Sequence, residues 1–192
     1  MDKFKMKSTT LPISVCMPYF ERLVSLQQCL DNLSNLYSNF KQLEIIVVDD
    51  GSIQQKAKFS NNNNLNVKHK YLNPPKDFGL NPCVPINRAI TSATNDIVLL
   101  QNPETIHTTN FLIEMYFDFL KQPANTIMCA GCYCPEFDDW LQHSVYNRTG
   151  HHWCNMMFKK HFWSIGGFDE NYREGSNYDD CDLVEKFKKV NS

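Results

Sequence analysis

The chain has 192 residues, enough for one α/β domain with a full core, since roughly 150 residues already bury about 70% of the surface exposed by the unfolded chain. Lys and Arg number 19 against 21 Asp and Glu, for a net charge of -2 with both signs interspersed. That excludes the concentrated positive face that nucleic-acid binding requires.

No apolar run approaches the ~20 residues of a membrane-spanning helix, and residues 1–7 are charged where a secretory signal would be apolar. The sequence therefore predicts a soluble, cytoplasmic protein with no transmembrane segment, whose eight cysteines are free thiols. Asn32-Leu33-Ser34 and Asn147-Arg148-Thr149 match the glycosylation pattern, which carries little weight in that compartment.

Residues 11–17 and 43–48 are short Ile- and Val-rich runs ended by turn chemistry, as expected of strands buried on both faces of a parallel sheet. Between them Leu23, Leu26, Leu30, Leu33, Leu36 and Tyr37 recur at helical spacing. After an asparagine-rich loop tip at 61–64, residues 67–72 read as a third strand, broken by Pro74-Pro75. A short helix over 85–94 leads to a buried strand at 96–100. A further helix over 109–121 points Phe111, Leu112, Met115, Phe119 and Leu120 inward, and residues 126–130 resume the sheet. A final helix opens at Asp179 and faces Leu183, Phe187 and Val190 to the core. Such alternation predicts a mainly parallel central sheet with helices on its faces.

Asp49-Asp50-Gly51-Ser52 directly follows the second strand, where open α/β sheets bind ligands, although a plain strand-to-helix turn accounts for the same residues. Pro18, Tyr19 and Phe20 end the first strand, with Glu21 beside them, and Gln101-Asn102-Pro103-Glu104 ends the fourth. A single carboxylate such as Glu104 suits a magnesium-like ion, which takes its other ligands from water and phosphate. Asp179, Asp180 and Asp182 crowd the start of the last helix, a favourable place for acids and equally a source of a general base. Cys129, Cys132, Cys134 and Cys154 with His151 and His152 have spacing too tight for a usual zinc site, and thiols along a strand explain them more simply.

Taken in order, these segments resemble the inverting glycosyltransferases of family 2, over nearly the whole chain. Ile13-Ser14-Val15-Cys16-Met17-Pro18-Tyr19 is similar to that family's first nucleotide-binding strand, and Val47-Val48-Asp49-Asp50-Gly51-Ser52 to its second. Ile165-Gly166-Gly167-Phe168-Asp169-Glu170 followed by Asp179-Asp180-Cys181-Asp182-Leu183 resembles its acceptor-side element. The resemblance implies a GT-A fold over 1–192, with a nucleotide-binding half at about 11–104 and an acceptor-side half at about 105–192. It implies nucleotide contacts from Pro18, Tyr19, Phe20, Glu21, Asp50, Arg88 and Gln101, with Asp50 reading the base. Asp180 is the implied catalytic base, and Trp153, Asn155 and Asp179 the acceptor-binding residues, beside His151 and His152.

The family's metal-binding Asp-x-Asp is replaced here by Asn102-Pro103-Glu104, similar to the Asn-Pro-Asp of rhamnosyltransferase-like members, so Glu104 is the implied ligand of a divalent cation, Mn2+ or Mg2+. Family members usually continue past the point matching Ser192, so the resemblance also implies a minimal or truncated domain. The implied activity is transfer of a hexosyl or deoxyhexosyl group from a nucleoside diphosphate sugar to a glycan or protein hydroxyl in glycan biosynthesis. UDP and dTDP donors are favoured over GDP. The alternatives are a non-catalytic nucleotide-sugar or glycan-binding module, a hydrolase using Glu104 with Asp180, and a dinucleotide-dependent oxidoreductase. The last lacks its Gly-x-Gly-x-x-Gly, since Cys16-Met17-Pro18 occupies that place. The sequence leaves assembly into a homo-oligomer open.

Overall fold

A computed structural model describes residues 10–57, 65–73, 81–136, 138–140, 154–175 and 178–191. In chain order the elements are β1 (Ile13–Tyr19), α1 (Leu23–Tyr37), β2 (Glu44–Asp49), β3 (Asn66–Tyr71), α2 (Cys83–Ser92), β4 (Ile97–Gln101), α3 (Phe111–Phe119) and β5 (Met128–Cys129). There follow β6 (Tyr133–Cys134), β7 (Asp139–Trp140), β8 (Cys154–Phe158), α4 (Lys159–Ser164), a 3-10 segment (Glu170–Glu174) and α5 (Asp179–Asn191). The main sheet has six strands in the order β3-β2-β1-β4-β8-β5, and β6 pairs with β7 in a separate hairpin. β3, β2, β1 and β4 run parallel, whereas β8 lies antiparallel to both β4 and β5.

Strand alternation divides the core between two helical layers. Ile13, Val15, Met17, Ile45, Val47 and Leu99 pack with α1 and α3, while Cys16, Ile46, Val48, Val98 and Leu100 pack with α2, α4 and α5. Every residue of β2 is buried, which is why its apolar run is continuous. The edge strand β3 is mostly exposed and carries Lys68 and Lys70, charges that discourage pairing with another chain.

One buried acid ties four segments together. Glu44 at the start of β2 accepts bonds from Ser14 Oγ (2.5 Å), Thr94 N (2.6 Å) and Thr94 Oγ1 (2.8 Å), and pairs with Lys68 Nζ (2.5 Å). Burial pushes this carboxyl up, but Lys68, Ser14 and Thr94 overcome it and hold the group at about 2.

Several expectations need correction. Instead of a strand over 126–130 extending the parallel sheet, the chain supplies the two-residue β5 at the far edge, separated from β4 by β8. β8 itself, Cys-Asn-Met-Met-Phe, lacks the branched residues that mark β1 and β2, so its strand character comes from its neighbours. Leu120 and Val190 are 50% and 57% exposed, not inward, because each lies at the fraying end of its helix, past the last core turn. All eight cysteines are unbridged, and among the described residues no helix is long and apolar enough to cross a membrane.

The Gly166-Gly167 turn joins α4 to the segment carrying Phe168. Both glycines have positive φ, +88° and +64°, and a Cβ on Gly167 lands 2.9 Å from Phe162 Cε1 and 3.0 Å from Trp163 Cζ3. Gly167→Ala is therefore expected to lower stability by about 2–3 kcal/mol, combining left-handed backbone strain with overpacking against buried Phe162. Urea denaturation measures it, and an unchanged midpoint would contradict the packing.

Candidate functional site

The sheet order reverses between β1 and β4, and the crevice beyond such a switch point is where α/β sheets accept ligands. Pairing of β1 with β4 ends at Cys16↔Leu100. Pro18 thus lies past that ladder, and its missing N–H removes no bond on that side. The diverging ends open a cavity of about 230 Å³ lined by Pro18, Tyr19, Phe20, Arg22, Asp50, Pro82, Pro85, Asn102, Pro103 and Glu104. Of the residues singled out in the sequence, Pro18, Tyr19, Phe20, Asp50, Asn102, Pro103 and Glu104 share this wall.

The loops that hold the wall are stapled to each other. Glu21, in the left-handed region at φ 49°, accepts bonds from Ile53 N (2.5 Å), Gln54 N (3.0 Å) and Gln55 N (2.6 Å), and donates its own N–H to Ser52 Oγ (2.9 Å). Tyr19 is buried and its phenol donates to the Gln55 carbonyl. The two acids after β2 divide the work. Asp49 accepts from Ser52 N (2.8 Å) and Ala57 N (2.9 Å), closing the loop. Asp50, relieved of that task, faces the cavity.

Each cavity acid meets an arginine. Asp50 Oδ1 accepts from Arg173 Nη2 at 3.2 Å, a pair only 6% exposed on the acid side. Burial pushes the Asp50 carboxyl up to about 6, against the pull of Arg173 and with added repulsion from Asp49. Glu104 Oε1 meets Arg22 Nη1 at 2.5 Å, with side chains 35% and 60% exposed. Glu104 is presented by a turn in which Thr105 N donates to the Asn102 carbonyl. Guanidinium groups are suited to phosphate oxygens through paired donors, so the cavity holds both signs of charge needed around a diphosphate.

The remaining candidates lie elsewhere. Glu21 does not line the cavity; its carboxylate is spent on the loop at 53–55. Gln101 is also turned away: it shares the strand face of Leu99, and its amide bonds Cys29 Sγ (3.2 Å) and buried His107 Nε2 (2.9 Å). His107 in turn meets the Tyr37 hydroxyl at 3.0 Å, and burial lowers its pKa to about 3. Arg88 is exposed on the outer face of α2. Its neighbour Asn87 is the inward residue, bonding Phe168 through both main-chain groups (2.9 and 3.2 Å) and Glu170 Oε1 (3.1 Å). Asn155 is buried in β8 opposite Leu100 and Cys129, one position from the end of β4, and does not line the cavity. Trp153, His151 and His152 lie outside the described residues.

Asp179 is 4% exposed and accepts from Asn81 Nδ2 at 2.9 Å. Asn81 immediately precedes the wall residue Pro82, so this bond tethers the start of α5 to the cavity rim. Asp180, half-buried on the same turn, accepts from Cys181 N at 2.8 Å. Arg22 and Arg173 are the site residues that the sequence reading missed. A lone arginine carries no local signal, and Arg173 meets an acid 123 positions away.

Residues 14–181 match the family model for Glycosyl transferase family 2, and the chain belongs to that family. The mainly parallel sheet flanked by helices is the GT-A arrangement. No curated protein matches the sequence significantly. Among solved structures the fold is similar to the mannosyltransferase PcManGT from Pyrobaculum calidifontis in complex with GDP-Man and Mn2+, at TM-score 0.70 and 15% identity, over 94% of this chain and 53% of that one. It is also similar to S. aureus TarS 1-349 in complex with UDP, at TM-score 0.68 and 17% identity, over 92% and 55%. GalNAc-T7 with UDP, GalNAc and Mn2+ gives TM-score 0.63 and 12% identity, over 93% and 40%. These likenesses concern the fold, and the chain spans from two fifths to just over half the length of each structure.

Proposed function

We propose that the chain transfers a sugar from a nucleoside diphosphate sugar to a hydroxyl of a glycan or protein acceptor, with inversion at the anomeric carbon. The observation that carries this reading is the convergence of Asp50, Glu104, Arg22 and the rigid aromatic–proline wall on one cavity at the sheet's switch point. In this reading Asp50 reads the base, favouring UDP or dTDP, while Tyr19 and Phe20 shape the pocket beside it. Asp180 removes the acceptor proton as the hydroxyl oxygen bonds to the anomeric carbon. The bond from that carbon to the diphosphate breaks on the opposite face.

Among the described residues no cluster of three metal-ligating side chains exists. The donor set still fits a divalent ion that draws most of its shell from phosphate and water: Glu104 offers one hard carboxylate at the cavity wall, in the Asn102-Pro103-Glu104 segment that stands for the family's metal motif. Such an ion would be held by Glu104 and would neutralise charge on the departing diphosphate. Arg22 pairs with that carboxylate, and this pairing is what favours the second reading, a module that binds nucleotide sugars without turnover.

A thermal-shift screen of UDP, dTDP, GDP and NAD, with and without Mn2+, followed by a sugar-transfer assay with the donor of the nucleotide that binds, separates these. One nucleoside diphosphate is expected to raise the Tm, more so with Mn2+. Asp50→Ala should lose the response and Glu104→Ala its metal-dependent part. Binding without sugar transfer supports the module, and a response to NAD alone overturns both readings.

A further inference from the structure

Asp50 receives its arginine from an element far along the chain. Arg173 lies in the 3-10 segment, 22% exposed, and that segment is fixed from several sides. Asp169 caps it by accepting from Asn171 N at 2.9 Å. Glu170 accepts from Asn87 on α2, and the same amide brackets Phe168. The guanidinium therefore reaches Asp50 from a braced support, which makes its direction a built feature rather than one rotamer of a free surface chain.

Among the described residues the charges acting on the pair are identifiable. From its own strand Asp50 faces Asp49, whose oxygens are both engaged by loop N–H groups. From the 3-10 segment it faces Arg173. Glu170 is bonded to Asn87 and Asp179 to Asn81, and neither is among the groups acting on Asp50. Arg173 is thus the cation acting on Asp50, while Arg22 and Glu104, on the wall of the same cavity, are paired with each other.

The geometry points to Arg173 as a positioning residue of the nucleotide site: it holds the buried Asp50 carboxylate ionised and aimed, so that Asp50 can accept a hydrogen bond from the imide N–H of a pyrimidine base. The inference rests on Asp50 as base reader. A neutral carboxyl presents a hydroxyl donor on one oxygen and is a poorer partner for that N–H. The carboxyl stands at about 6 while Arg173 is present, and removing the guanidinium takes away the charge that pulls it down, so its titration moves further up. The pair also links the two sides of the chain, because the segment bearing Arg173 leads directly into α5 with Asp179 and Asp180.

The test is the affinity of the full chain for UDP by calorimetry from pH 5 to 9, with Asp50→Ala as the reference that carries only the ligand's own titration. Wild-type binding is expected to weaken below about pH 6. In Arg173→Gln the midpoint should move up by a unit or more, leaving binding at pH 7 about twofold weaker for a one-unit move and about tenfold weaker for two, and largely recovered at pH 9. Arg173→Lys, which keeps the charge but not the fork, should show a smaller upward move and serves if the Gln variant does not fold. A variant profile that overlays the wild type, or a loss that high pH does not recover, overturns the role of Arg173. Failure of wild-type UDP binding, or Asp50→Ala binding as the wild type does, overturns instead the base-reading role on which the inference rests.

Discussion

Asp180→Asn is expected to lower the turnover of sugar transfer by about 10²–10⁴-fold, the range of a positioned general base, while leaving the thermal response to nucleotide intact. The expectation follows from where α5 begins. Asp179 is buried and bound to Asn81 beside the wall residue Pro82, so the first turn of the helix is anchored at the cavity rim by one acid, with Asp180 the next residue on that turn though not itself part of the cavity wall. Asp179 and Asp180 thus differ in kind: the first is a structural tether, and Asp179→Asn should act chiefly on the placement of that turn. The measurement is a single-turnover assay with the donor identified by the nucleotide screen. Unchanged turnover in Asp180→Asn would remove Asp180 from the mechanism. A parallel loss of nucleotide binding would mean that the substitution acts on the fold of the site.

Glu44→Ala is expected to lower stability by about 3–5 kcal/mol, because it strips the hub from a buried, charge-assisted network. Its removal leaves Ser14 Oγ, Thr94 N and Thr94 Oγ1 without their shared acceptor, and Lys68 without its counter-ion. The pH dependence has a definite sign. With a carboxyl held at about 2 in the fold and a normal value of 4.5, the contribution is fully present above pH 4.5 and drains away as pH falls toward 2. Urea denaturation of wild type and variant between pH 7 and pH 3 should therefore show a gap that narrows below pH 4.5. A constant small gap would mean that solvent already satisfies these groups. Glu44→Gln, which retains an acceptor but not the charge, should fall between the two.

These two acids show how unevenly the sequence displays its own logic. Glu44 reads as one polar residue heading an apolar strand, and nothing local marks it as a hub, since its partners come from β1, β3 and the turn before β4. Glu21 and Gln101 were legible as polar residues at strand ends, yet both are consumed internally. Glu21 has three consecutive N–H groups of the neighbouring loop within reach, and Gln101 follows the strand alternation into the layer occupied by Leu99. Asn87 and Arg88 exchange their expected weights for the same kind of reason. A helix rotates about 100° per residue, so the residue beside an inward amide points to solvent.

What the sequence alone determined is the part governed by local periodicity and order. The strands β1, β2, β3 and β4, the helices α1, α2, α3 and α5, and the acids at the ends of β2 and β4 all follow from the local sequence pattern and the turns that stop it. The order of those pieces was enough to suggest the family. Tertiary structure decided the rest: the antiparallel insertion of β8 between β4 and β5, the tether from Asn81 to Asp179, and the arginines that meet Asp50 and Glu104. Those features depend on contacts between residues up to 123 positions apart. Such pairings are selected by how the two helical layers close over the sheet, and that closure is a property of the packed chain, with no trace in the spacing of neighbouring residues.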